Sequence, residues 1–329
     1  MPTYPGISSE AFRHPLDRQA EQTLRSVPGF DLVARKFVEF LTERPQYVYQ
    51  MGNSIQVGPR QYSSIYQIFR ECLRDLDIYP EPNLFVSQNP IVNAFALGQE
   101  FPFITLNSGL LDLLTEAELR TVIAHELGHI KCGHTTLIQM AIWTNQVIAG
   151  LAERTFGLST LVSTGLVIAF YEWLRKAELS ADRAALLVMD DLHPILHSMM
   201  KISGGSSRYG HEMSTAEFER QSERYQGLDD DGLNQVYKFF LYNNLSSGVF
   251  LSHPFTVERV HFLKEWFASK DYRQIRQGEY TRAGAAGSVE VPFESAKPPT
   301  AGTKSAQVDD LRRQIDELQQ EIDRIKRGK

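Results

Sequence analysis

The sequence predicts an α+β, mostly helical fold in which a small β-sheet lies beside one histidine-bearing helix. Three observations predict it. Apolar residues recur three and four apart through several long segments. Three short strand candidates cluster between Asn83 and Leu106, the third of them rich in β-formers. A capped helix signal follows them at Thr115.

Taken in order, residues 1–20 read as a polar arm containing Pro2, Pro5 and Pro15. Helical periodicity starts near Leu16 and returns at Leu32, Val33, Phe37, Val38 and Leu41. Ile65, Ile68, Phe69, Cys72 and Leu73 predict a second helix from about Ser63 to Leu76, which Pro80 and Pro82 terminate. Strands are expected at Asn83 to Val86, Ala94 to Leu97 and Phe103 to Leu106. Thr115 with Glu118 three residues later is a capping box. The helix it opens runs through His125 and His129. Gly128 lowers helix propensity by about 1 kcal/mol relative to Ala, but its missing side chain permits close packing.

Residues 137–151 and 158–174 are the most apolar stretches. Each falls short of the roughly 20 apolar residues that span a membrane. Both are expected as core or surface-lying helices, with a membrane hairpin as the alternative. A further helix is expected from Glu172 to Met189. Residues 203–235 are polar and partly Gly-rich. Val308, Leu311, Ile315, Leu318, Ile322 and Ile325 form an a/d seam of about two and a half heptads. The seam reads as a self-association or partner-docking tail, or as an amphipathic helix folded on the body. The resulting division is 1–60, an N-terminal helical extension; 61–282, the main domain; 283–306, a flexible Gly- and Pro-containing linker; and 307–327, a short coiled-coil-like helix.

The chain has 329 residues, with 34 Lys+Arg against 40 Asp+Glu and a net charge of −6. That balance argues against nucleic acid as a partner. Two cysteines, Cys72 and Cys132, make no disulfide framework, which fits a reducing compartment. The first ten residues lack the basic and apolar regions of a secretory signal. The expected location is cytoplasmic, with peripheral membrane contact through 137–174 as the variant.

The chemistry concentrates at His125-Glu126-Leu127-Gly128-His129. Histidines at i and i+4 project from one helix face and can hold one metal ion. Zn2+, one per chain, is the expected cofactor, because two imidazoles and a carboxylate leave a position open for water. A metal there acidifies that water, so Glu126 can act as its base at neutral pH. A third ligand is needed. His134 misses the ten-residue offset of the HExxHxxGxxH pattern and is expected at a helix end, facing the last carbonyls. Cys132 has no partner cysteine and reads as core. Glu178 and Asp182 share a helix face, and Ala177, Ala181, Ala184 and Ala185 allow that helix a close approach. Glu178 can complete the ligand set, and Asp182 can orient a ligating imidazole.

These motifs resemble those of zinc metallopeptidases of the HtpX and CAAX prenyl protease type, a gluzincin family. The matching features are His125-Glu126-x-x-His129 continued by Gly133-His134, Glu178-x-x-x-Asp182, and Ser252-His253-Pro254 followed by Glu258-Arg259. They lie in family order within about residues 60–270. The resemblance implies a gluzincin-like domain with His125, His129 and Glu178 on zinc, Glu126 as general base and Asp182 behind the ligands. It also implies His253 as an oxyanion donor and Arg259 as a partner of Asp182 or of substrate. Asn93, Ala94, Phe95 and Ala96 are similar to the family's edge strand, which pairs with an extended polypeptide. The expected function is therefore zinc-dependent hydrolysis of peptide bonds in proteins or polypeptides, with protein quality control as a setting. Two other readings are a zinc-stabilised interaction scaffold with little turnover and a membrane-associated quality-control protease.

Overall fold

A computed structural model describes residues 2–40, 44–152, 158–228, 241–242 and 255–284. All of these belong to one unit, Met1–Ser288. His253, the heptads at 308–325 and all but the first two residues of the expected linker lie outside the described residues.

Helices α1 (Pro15–Ser26), α2 (Phe30–Phe40) and α3 (Arg44–Asn53) precede a short strand, β1 (Ile55–Gln56). Then come α4 (Ser63–Asp75), β2 (Asn83–Ser87), β3 (Ala94–Leu97) and β4 (Phe103–Asn107). Helices α5 (Ser108–Leu113), α6 (Glu116–Lys131), α7 (His134–Ala152), α8 (Leu158–Met189) and α9 (Leu192–Gly204) follow. The described part closes with α10 (Thr215–Gly227), α11 (Thr256–Ala268) and α12 (Lys270–Arg276).

The fold is mostly helical with one four-stranded sheet in the order β1-β2-β4-β3. β2 and β4 pair in parallel, with Asn83 opposite Phe103. β3 lies antiparallel to β4, with Ala94 opposite Leu106. Both sheet faces are covered. Leu84, Val86, Ala96, Ile104 and Leu106 join the main core with α4, α6 and α8. Phe85, Leu97 and Phe103 pack on the other side with Tyr47 and Ile138. That double burial explains why all five residues of β4 are buried rather than alternate ones, Thr105 and Asn107 included.

Three expectations change. The arm expected over residues 1–20 is not one: among residues 2–20, Tyr4, Ile7 and Phe12 are buried, and backbone bonds tie Ser8 to Thr281 and Ala283 to Gly6. Pro2 and Pro5 fall where the chain is irregular without stopping burial, and Pro15 opens α1. Residues 158–174 and Glu172–Met189 form one 32-residue helix, because no Pro or Gly interrupts them where they meet. Residues 215–227 are helical, started by Ser214, whose hydroxyl accepts from the Glu217 amide at 3.4 Å. No helix among the described residues is long and apolar enough to cross a membrane.

Candidate metal centre

α6 begins as its sequence dictates. The Thr115 amide donates to Glu118 Oε2 at 2.7 Å, and the Glu118 amide returns to Thr115 Oγ1 at 3.5 Å. Two turns later, His125 and His129 share one face, with their Nε2 atoms 3.2 Å apart. α8 delivers Glu178 against them. Its Oε2 lies 3.3 Å from His125 Nε2, and its Oε1 lies 3.3 Å from His129 Nε2. Small residues allow the approach: a Cβ on Gly128 would stand 2.7 Å from the Ala184 Cβ and 3.0 Å from the Ala181 Cα.

His125, His129 and Glu178 form a three-donor group that can hold a metal ion. The donor set fits. A tetrahedral ion with ligands at about 2.0–2.1 Å sets them about 3.3–3.4 Å apart, close to the three spacings here. The other nitrogen of each ring is engaged elsewhere, so both Nε2 atoms face the same point.

His125 Nδ1 lies 3.0 Å from Asp182 Oδ1. Arg259 on α11 grips the same carboxylate, donating Nε to Oδ2 at 2.8 Å and Nη2 to Oδ1 at 2.5 Å. Its Nη1 also lies 3.3 Å from Glu178 Oε2. Arg259 is thus a partner of Asp182 in this structure. Burial disfavours a charged Asp182, but Arg259 and then His125 outweigh it and hold its pKa below the ordinary range. Burial likewise disfavours a charged His125, yet Asp182 and Glu178 raise its pKa to about 10. A cation at the three donors would take the place of that proton.

His134 corrects an expectation. It does not meet the last carbonyls of α6; it opens α7. Gly133 makes the reversal with φ +70°, a conformation costly for any residue with a Cβ. The turn carries the buried His134 ring back onto α6, where its Nδ1 lies 3.0 Å from His129 Nδ1. Its Nε2 lies 3.1 Å from Asp17 Oδ2. Burial keeps the His134 pKa below that of an ordinary histidine, although Asp17 opposes the shift. Cys132, read as core, is the half-buried cap of α6 and packs against the core edge.

Beside the three donors, a cleft is lined by Glu126, Asn93, Ala94, Val122, Met199 and Thr256 among others. Asn93 immediately precedes β3, the last strand of the sheet, and its carbonyl accepts from the Asn107 amide at 3.0 Å. Ala94 and Ala96 turn toward the main core, and Phe95 toward the smaller cluster. One long side of β3 is therefore unpaired by strands among the described residues.

Sequence reasoning missed Asp17 and underread His134. Arg13 is the local partner of Asp17, but the contacts of Asp17 with His134, Trp173 and Ser180 come from 117 to 163 residues away, and no local pattern announces them.

A family model for peptidase family M48 matches residues 59–267. The chain is 32% identical over 277 residues to the plastoglobule-localized metallopeptidase 48 of Arabidopsis thaliana chloroplasts, covering 82% of this chain and 76% of that protein. It is 24% identical over 237 residues to a protease HtpX homolog of Helicobacter pylori, covering 65% and 70%. A protease HtpX homolog of Dictyoglomus turgidum is 28% identical over 251 residues, covering 66% and 77%. No solved structure matches.

Proposed function

From the premise that the chain belongs to peptidase family M48 and is a metalloprotease acting on proteins or peptides, we propose that it is a zinc-dependent endopeptidase with a gluzincin-like site, in which Glu126 is the general base. The observation that supports this most is the convergence of His125, His129 and Glu178 at 3.2–3.3 Å beside Glu126 in one cleft.

His125, His129 and Glu178 would hold the zinc ion, which supplies Lewis-acid polarisation and acidifies a water molecule. Glu126 would take a proton from the attacking water and later give it to the leaving amine, so one carboxylate serves both halves of the reaction. Asp182, clamped by Arg259, holds the His125 ring with Nε2 facing inward. The free side of β3 would pair with an extended polypeptide, which gives affinity from main-chain bonds with little sequence selectivity. His253 is assigned to donate to the developing oxyanion, a contribution of about 3–4 kcal/mol to the barrier. The four-part division of the chain, docking through 308–325 and a cytoplasmic location with peripheral membrane contact through 137–174 belong to the same proposal. Salt and carbonate washes of cell fractions test the last of these.

Glu126→Gln is the test. The variant is expected to retain stoichiometric zinc and to lose casein and peptide cleavage. Full cleavage by Glu126→Gln would remove Glu126 from the mechanism. Absence of chelator-sensitive turnover in the unaltered protein would favour the scaffold reading instead.

A further inference from the structure

α1 lies outside the family match at 59–267, yet Asp17 on α1 reaches the back of the metal-binding face. Asp17 is fully buried and surrounded by donors. Arg13 Nε and Nη2 donate to it at 2.8 and 3.0 Å, Trp173 Nε1 at 3.1 Å and Ser180 Oγ at 2.7 Å. The ionised carboxylate only accepts, so His134 Nε2, 3.1 Å away, must be the donor of that contact. The tautomer of His134 that donates from Nε2 presents Nδ1 as an acceptor. The atom facing it at 3.0 Å is His129 Nδ1, which must therefore carry the proton of its ring. That leaves the His129 Nε2 lone pair turned toward His125 Nε2 and Glu178 Oε1.

We propose that Asp17 and His134 form a buried hydrogen-bond relay that fixes His129 in the Nδ1-protonated tautomer, so that the N-terminal helix is a positioning part of the metal centre. His125 is oriented by a carboxylate directly; His129 is oriented by a carboxylate acting through a second imidazole. Gly133 sets the path, since its positive φ returns His134 to α6. Asp17 and His134 touch no reacting atom. Their effect is on how well His129 is presented, and partners of this kind change metal affinity by about 10- to 100-fold.

The inference rests on His129 being a metal ligand, so the experiment separates the two claims. Zinc dissociation constants are measured by chelator competition on full-length protein, beside the thermal melt of each metal-free variant. His129→Ala is expected to lose tight zinc binding; wild-type affinity there would overturn the ligand assignment itself. His134→Ala is expected to bind zinc about 10- to 100-fold more weakly. His134→Asn places an amide oxygen near the Nδ1 position and is expected to recover most of that loss. Asp17→Asn is expected to weaken zinc binding in the wild-type background and to add nothing in His134→Ala, as a pair acting in series requires. Wild-type affinity in His134→Ala, no recovery in His134→Asn, or an Asp17→Asn effect that persists without His134 would each overturn the relay. The unaltered protein supplies a readout that needs no variant to fold. Nitrogen-15 spectra of the zinc-loaded enzyme should place the proton on His129 Nδ1, coupled across the hydrogen bond to His134 Nδ1. A proton on His134 Nδ1 instead would reverse the relay and overturn it.

Discussion

At Asp182 two opposite charges meet almost out of reach of water. The Asp182 side chain is 3% exposed and that of Arg259 15%, and two hydrogen bonds join them. Such a pair contributes little beyond a well-packed apolar substitute, but breaking one half strands the other. Arg259→Met is therefore expected to destabilise the metal-free protein by about 3–5 kcal/mol. Asp182→Asn combined with Arg259→Met should cost less than the sum of the two single changes, because the second removes a charge the first has orphaned. Urea unfolding of the four proteins measures the coupling. Additive losses would mean that the two groups do not depend on each other. The sequence made this pair legible only as a choice, since Arg259 was open to either Asp182 or substrate. Its answer depends on α11 packing beside α8, which no spacing within either segment encodes.

α6 is held at two points, and each predicts a different failure. At its start, Glu118 is buried among Lys201 Nζ at 2.9 Å, the Thr115 amide and His197. Burial opposes its ionisation, but Lys201, Thr115 and His197 outweigh this and lower its pKa from 4.5 to about 2. The folded pKa lies below the unfolded one, so the stabilisation is fully present above about pH 4.5. It is lost as pH falls toward 2. Glu118→Gln should therefore be less stable at neutral pH and should show a flatter urea midpoint between pH 5 and 2. An unchanged acid slope would show that Glu118 does not govern it. In its middle, α6 meets α8 through Gly128. Gly128→Ala gains about 1 kcal/mol of helix propensity but forces a methyl to 2.7 Å from Ala184. Overpacking costs about 1–3 kcal/mol, so the variant is expected to be net destabilised and to bind metal more weakly as Glu178 is pushed away. Both features were readable, because a capping box and an alanine-rich face are local patterns. α10 carries a similar start signal in Ser214 and Glu217, which the polar composition of 203–235 obscured. β1 has two residues and too little sequence to carry a period.

Across the whole molecule, the candidate ligands come from helices whose sequence positions differ by about fifty residues, and the relay behind them reaches back to α1. The HExxH spacing and the Glu178 and Asp182 pair announced the front of the centre, because one helical turn fixes both relationships. Asp17 stayed invisible because its role exists only once α1 packs on α8 and Gly133 turns α7. Such an arrangement makes metal binding and folding one equilibrium. A metal held by α6 and α8 together binds the native state and has no equivalent set of donors in the unfolded chain. At free zinc of about 100 times its dissociation constant, the native state should gain about 2.7 kcal/mol. The thermal midpoint should then rise with the logarithm of free zinc and fall on chelation. Glu126→Gln should keep the whole shift, since it removes no ligand. Glu178→Ala should lose most of it, because two donors on α6 alone no longer join that helix to α8. A zinc-dependent midpoint in Glu178→Ala equal to that of the unaltered protein would place the third donor elsewhere in the chain.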